Sequence, residues 1–375
     1  ILPYFFVENY IFRDWLYRAL VFLVISCPCA LVISIPLGYF GGIGAASRNG
    51  ILFKGGNYLD MMAKVNTVVM DKTGTLTEGV FKVQQIKMTE AVAKNMNETE
   101  FMKLLASVEI KSTHPVAKAI VQAADKDLSS FDVKDVEEIS GHGLKSTVNE
   151  QTILVGNTKL LRKFNVTYDS AVDGVVETIV VVAINGQYAG YVTIADQIKA
   201  DAQLAITRMN QAGVTQTVML SGDKTSITQK VAQMIGINTA YGDLLPEDKV
   251  NKVEAIKKDA SKVLAFVGDG VNDAPVLALS DVGIAMGGMG SDAAIETADV
   301  VIQNDQPSKI ATAIQISRVT KRIVWQNIGL AFAVKAIVLL LGAGGLATMW
   351  EAVFADVGVA LLAILNAVRI QRMKF

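Results

Sequence analysis

The sequence predicts an α/β domain that carries an inserted α+β domain and is flanked by transmembrane α-helices. Three observations predict it. First, β-branched runs ending in Gly/Asp loops recur at Thr67–Asp71, Thr217–Ser221, Val263–Gly268 and Val282–Ala285, with helical stretches such as Asp201–Ala212 and Ser226–Ile235 between them. Strands alternating with helices make a parallel sheet whose ligands sit at the carboxyl ends of the strands. Second, the pattern changes between about Gly79 and Ala189. Helices near Glu98–Ala106 and Val116–Ala124 give way to strands with turns at Asn149-Glu150 and Asn185-Gly186, which reads as an insertion. Third, no charge falls between Ala19 and Ser47, a run longer than the roughly 20 residues of a membrane helix. A second apolar block, Ile323–Trp350, is broken only by Lys335, and a third, Ala352–Val368, only by Asp356.

These elements divide the chain into residues 1–50 (the tail of one helix, then a helix holding Cys-Pro-Cys), 51–80 with 190–320 (the α/β domain), 81–189 (the insert) and 321–375 (a transmembrane hairpin turning near Met349). Ile1–Val7 is too short to span and reads as the end of a helix. Pro28 and Pro36 interrupt the first block, which is also too long for a signal peptide. Arg48, Lys54, Lys321, Arg322, Arg369, Arg372 and Lys374 flank the blocks, so the positive-inside rule places the soluble middle in the cytoplasm.

Composition excludes several classes. The 375 residues hold 35 Lys plus Arg against 36 Asp plus Glu, which is not the basic excess of a nucleic-acid binder. An apolar share of 51% excludes a disordered chain. Two cysteines exclude a disulfide scaffold, and two histidines exclude a His-rich metal buffer.

The chemistry-bearing run is Asp71-Lys72-Thr73-Gly74-Thr75-Leu76-Thr77, directly after an apolar strand. An Asp at a strand end, followed by a Gly-containing turn, presents its carboxylate to a phosphate held by backbone N–H groups. Taken alone, such an Asp is more often a turn or helix-cap residue. Three further elements change that balance. Ser221-Gly222-Asp223 offers a hydroxyl, Lys249 a cation, and Gly268-Asp269-Gly270-Val271-Asn272-Asp273-Ala274-Pro275 carboxylates for Mg²⁺. These are the parts of phosphoryl transfer through an aspartyl phosphate, with Asp71 and Asp269 suited to the metal.

The set resembles the haloacid-dehalogenase superfamily, and the two runs together resemble P-type ATPases. The resemblance implies a phosphorylation domain in which Asp71, Lys72, Thr73, Ser221, Asp223, Lys249, Asp269, Asn272 and Asp273 are catalytic, and Asp71, Thr73 and Asp269 hold Mg²⁺. Related phosphatases commonly carry an Asp two residues after the nucleophile. Thr73 stands there instead, which implies a slowly hydrolysed phosphoenzyme. In the insert, Glu109, His114 before Pro115, Gly141, Gly143, Gly156 and Asn157 resemble the nucleotide-domain motifs of the heavy-metal branch, and imply an ATP site. His114-Pro115 also reads as a helix start. His142 is read as a solvent-facing loop residue.

Cys27-Pro28-Cys29 lies inside the first apolar block. Proline breaks the helix there and turns both thiols towards one cavity. Soft thiolates select Cu⁺, Zn²⁺ and heavier congeners. Lys335 and Asp356 lie deep in their blocks, where an ionised group costs about 2.5–3.5 kcal/mol and is functional by default. Cys-Pro-Cys with one Lys and one Asp resembles the zinc/cadmium/lead-exporting branch. It implies Cys27, Cys29 and Asp356 at the transported ion, with Lys335 as counter-ion. The expected function is ATP-driven export of Zn²⁺, Cd²⁺ or Pb²⁺ across a bacterial plasma membrane. The alternatives are Cu⁺ transport and a membrane-anchored phosphatase. Family members also carry upstream helices and an actuator domain with a Thr-Gly-Glu loop. That triplet does not occur here, so the chain is expected to be the C-terminal portion of a pump whose other parts are its partners.

Overall fold

The computed structural model describes residues 11–26, 29–112, 114–124, 131–270, 273–287, 292–344, 346 and 348–375. Ile1–Val7 and Cys27 lie outside them. Two sheets organise the soluble part. The first has seven strands: β1 (Ile51–Phe53), β2 (Thr67–Asp71), β9 (Gln216–Leu220), β10 (Thr239–Tyr241), β11 (Leu264–Gly268), β12 (Val282–Met286) and β13 (Val300–Ile302). The second has six: β3 (Thr77–Met88), β4 (Val133–Ile139), β5 (Gly143–Val148), β6 (Gln151–Gly156), β7 (Thr178–Ile184) and β8 (Gln187–Ile198).

The seven-stranded order is β1-β13-β12-β11-β2-β9-β10, parallel throughout except for β1 against β13. Thr67-Val-Val-Met-Asp71 is buried along its whole length, as a central parallel strand covered on both faces must be. One face packs on Ile206 and Met209 of the Ala202–Gln211 helix and on Ile310 and Ile314 of the Ser308–Ala343 helix. The other packs on Val253, Val276, Leu277 and Ala294 from three further helices. After β2 the chain builds outward to β9 and β10, then returns to the opposite side of β2 for β11, β12 and β13. That reversal opens a crevice at the carboxyl end of β2, where open α/β sheets bind ligands.

The six-stranded sheet is antiparallel in the order β3-β8-β7-β6-β5-β4. Asn149 and Asn185, read as turn residues in the sequence, do adopt positive φ between β5 and β6 and between β7 and β8. The Glu98–Glu109 and Pro115–Ala123 helices cover one face through Phe101, Leu105 and Ile120. Leu160, Leu161 and Val172 cover the other. The sheet is rooted beside the crevice. The hydroxyl of Thr77, which opens β3, donates to the carbonyl of Lys72 at 3.0 Å and to Asp196 near the end of β8.

Phe12–Arg48, Ser308–Ala343 and Met349–Arg372 are long and apolar enough to cross a membrane. The second begins well before its apolar block. Its first half carries a charged and apolar mixture because it is packed into the α/β core, with Ile310, Ile314, Ile316 and Ile323 buried. Arg318 fixes it there. Its guanidinium donates to the carbonyls of Ala63, Val65 and Ala212, capping carbonyls at the ends of two other helices. One continuous helix therefore runs from the core of the sheet to Lys335.

Candidate active site

Strand register brings the phosphorylation motif together. Asp71 pairs with Leu220 of β9, and Met70 with Val267 of β11. Ser221 and Asp269, each following its strand, therefore flank Asp71. Gly74 turns the loop at φ +74°, and a Cβ there would lie 1.7 Å from Asp269 Oδ2, so only glycine admits the approach. Asp71, Asp269 and Asp273 each offer a carboxylate oxygen within 4.8 Å of the others. Lys249 Nζ lies 2.5 Å from Asp71 Oδ1 and 2.9 Å from Asp273 Oδ1. Lys72 pairs with Asp223 and stands 3.9 Å from Asp196. Ser221 is buried, and its Oγ accepts the N–H of Asp223 at 3.1 Å. Thr73 is exposed at the mouth, and Asn272 lies outside the described residues.

The carboxylates crowd one another. Burial and then the charge of Asp273 push the Asp71 carboxyl above its usual range, and the Lys249 ion pair only partly offsets them. Burial, followed by Asp273, pushes Asp269 up to about 6. Three hard oxygen donors in a negative, half-enclosed site fit Mg²⁺, which takes few carboxylates and leaves room for water and phosphate. The structure thus places Asp273 beside the two carboxylates expected at the metal. Asp196 was missed because it stands 125 residues after Asp71 and carries no motif of its own. Its one sequence signal is the acid-to-cation spacing Asp196-Gln-Ile-Lys199. That lysine donates to the Gly74 carbonyl at 2.6 Å and pairs with Asp305 at 3.0 Å, so it braces the loop.

A cavity of about 320 Å³ in the six-stranded domain is lined by all six residues expected at the nucleotide: Glu109, His114, Gly141, Gly143, Gly156 and Asn157. His114 caps the Pro115–Ala123 helix, its Nδ1 accepting the N–H of Val116 at 3.2 Å. Asn157 caps the Thr158–Lys163 helix and also donates to the Gly141 carbonyl. The sequence reading of His142 as solvent-facing is corrected: it lines this cavity and is half-buried, because the β4–β5 turn folds over the end of β6. Burial, and then Glu138, raise the Glu109 carboxyl from 4.5 to about 7. Thr178 lines this cavity and also a second one of about 340 Å³, which holds Lys72, Asp223 and Lys224.

That shift predicts a pH effect. An acid whose pKa is raised by folding favours the fold while protonated. The stabilising contribution is complete below about 4.5 and is lost as pH rises through about 7. Glu109→Gln should therefore raise stability at pH 8 by about 1–3 kcal/mol and change little at pH 4. Thermal unfolding followed across that range checks it, and an equal effect at both pH values would contradict it.

In the apolar helices, Lys335 Nζ donates to the Ile25 carbonyl at 3.0 Å and stands 3.8 Å from Asp356 Oδ1, which has no hydrogen-bond partner among the described residues. They border a void of about 10 Å³, room for one water or a bare ion. Ile25 is two residues before Cys27. Cys27, like the side chain of Cys29, lies outside the described residues.

Residues 65–281 match the family model of haloacid dehalogenase-like hydrolases. The chain is 54% identical over 374 residues to the zinc-transporting ATPase of Synechocystis sp., covering 99% of this chain and 51% of that protein. It is 53% identical over 363 residues to the cadmium, zinc and cobalt-transporting ATPase of Bacillus subtilis, covering 96% and 51%. The chain thus spans about half the length of these curated relatives. Its fold is similar to the crystal structure of a zinc-transporting PIB-type ATPase in the E2.Pi state, with a TM-score of 0.85, 35% identity, and coverage of 99% of this chain and 60% of that one. The chain belongs to the haloacid dehalogenase-like hydrolases.

Proposed function

We propose that this chain forms the phosphorylation domain, nucleotide-binding domain and last membrane helices of an ATP-driven exporter of soft divalent metal ions. The single observation that carries the reading is the convergence of Asp71, Ser221, Lys249, Asp269 and Asp273 at the reversal point of the parallel sheet. Asp71 attacks the γ-phosphorus of ATP, a P–O bond forms, the bond to the bridging oxygen breaks, and ADP leaves. Lys249 pairs with both Asp71 and Asp273, and the Ser221 hydroxyl faces the transferred group. Asp71, Asp269 and Asp273 would hold Mg²⁺, which when bound would supply positive charge to the phosphoryl oxygens.

The base of ATP belongs in the cavity beside Glu109 and His114, and the phosphates in the neighbouring one beside Lys72 and Lys224. No Lys or Arg lines the former among the described residues, whereas two lysines line the latter. The insert, residues 81–189, is thus the nucleotide-binding unit, and 51–80 with 190–320 the phosphorylation unit. Their cytoplasmic placement follows from the positive flanks.

Cys27, Cys29 and Asp356 are the proposed ligands of the transported ion. A hard carboxylate beside two thiolates suits Zn²⁺, Cd²⁺ or Pb²⁺ better than Cu⁺. The purified chain in detergent should bind Cd²⁺ with an ultraviolet thiolate-to-metal charge-transfer band. Cys27→Ser should abolish the band, and Asp356→Asn should weaken Cd²⁺ binding at least tenfold or so. Unchanged Cd²⁺ affinity in both variants would overturn the metal assignment.

A further inference from the structure

The chain has two histidines, and both line the cavity proposed for the nucleobase. His114 is committed through Nδ1 to its helix cap. His142 is held differently. Its Nδ1 lies 2.8 Å from the carbonyl of Ser140. A carbonyl oxygen only accepts, so Nδ1 carries the proton, and in the neutral ring Nε2 is left as a bare acceptor.

The backbone under that ring is fixed at both ends. The His142 N–H donates to the Ile139 carbonyl at 2.9 Å, and the His142 carbonyl accepts the Asn157 N–H at 2.9 Å. A Cβ on Gly156 would lie 2.2 Å from the His142 carbonyl oxygen, and one on Gly143 equally close to that of Val155. Two glycines are therefore needed to press this turn onto the end of β6. The result is a preorganised acceptor on a wall that already carries Glu109 and Glu138 and, among its described residues, no cation.

We propose that His142 determines which base the site takes. Its Nε2 accepts an N–H of the exocyclic 6-amino group of adenine. A 6-oxopurine puts a carbonyl there and faces the Nε2 lone pair with another acceptor. The proposal rests on the nucleotide reading of this cavity and adds to it the basis of base choice.

Isothermal titration of the full chain with ATP and with inosine triphosphate at about pH 8 tests it. The two ligands differ only at position 6 and in the proton that the 6-oxopurine carries on the adjoining N1. The unsubstituted chain should bind ATP about tenfold or more tightly than inosine triphosphate. In His142→Phe, which keeps a ring without the acceptor, the ratio should fall to about twofold through weaker ATP binding alone. His142→Ala should narrow it in the same way. An unchanged ratio in both variants overturns the proposal and leaves the nucleotide reading standing. Equal loss of both ligands in both variants also overturns it, because the ring then supports the cavity and not the choice of base. Absence of ATP binding by the unsubstituted chain overturns the nucleotide reading and this inference together.

Discussion

Asp71→Asn should abolish phosphate transfer from ATP to this chain, with a loss of more than about a thousandfold in labelling. The substitution keeps the side-chain shape and removes the nucleophilic oxygen. It also relieves the crowding of Asp71 with Asp269 and Asp273, since Asp71 is buried among like charges. The variant should therefore fold at least as well as the parent and bind ATP undiminished. That combination separates a lost nucleophile from a damaged fold. Labelled phosphate on Asp71→Asn at the parent level would show that another residue accepts the γ-phosphate. Loss of ATP binding together with labelling would show that the side chain has a structural role instead.

The second large effect concerns Lys335. Two thiolates and Asp356 would bring three negative charges to one intramembrane site. A divalent ion neutralises two of them and Lys335 the third. When the ion has left, the 3.8 Å separation between Lys335 Nζ and Asp356 Oδ1 is short enough for the lysine to stay as internal counter-ion. Removing it leaves a buried carboxylate uncompensated, at about 3–5 kcal/mol. Lys335→Ala should then slow metal-dependent turnover about tenfold or more while ATP binding is kept. It should also make the return step carry protons, because Asp356 must be neutralised by other means. Sealed vesicles holding the transport-competent pump, with a pH dye inside, read both quantities. Normal metal export with no proton movement would reduce Lys335 to a packing residue whose nitrogen is satisfied by the Ile25 carbonyl.

Local order explains what the sequence made legible. Thr67–Asp71 is a contiguous apolar strand ending on a motif, so strand and loop could be read from one stretch, and the strand ends on Asp71 as expected. The same holds for β11, Gly268 and Asp269. The hidden parts depend on distant packing. Lys199 and Asp196 belong to the phosphorylation loop only because β8 returns beside β3. The Ser308 start of the long helix was masked because its first half faces a protein core and its second half faces an apolar surround, so no single periodicity covers both. β1 and β13 are three residues each, too short for alternation to register. His142 between two glycines looks like a free loop until the ends of β5 and β6 are seen pressed together.

These cases share a physical reason. Hydrophobic period and turn chemistry report the nearest ten or so residues, whereas a site built at strand ends is assembled by the order of strands in the sheet. Asp71, Ser221 and Asp269 could be read locally because each lies at the carboxyl end of its own strand, whereas Lys249 reaches them from the Pro246–Lys257 helix.

Asp71 is proposed to become an acyl phosphate at the expense of ATP. The most direct test is to incubate the purified chain with γ-labelled ATP and Mg²⁺, quench in acid, and locate the phosphate by peptide mapping, with and without hydroxylamine. Acid-stable, hydroxylamine-labile phosphate is expected on the peptide that contains Asp71. Phosphate on a serine or threonine, resistant to hydroxylamine, would contradict it.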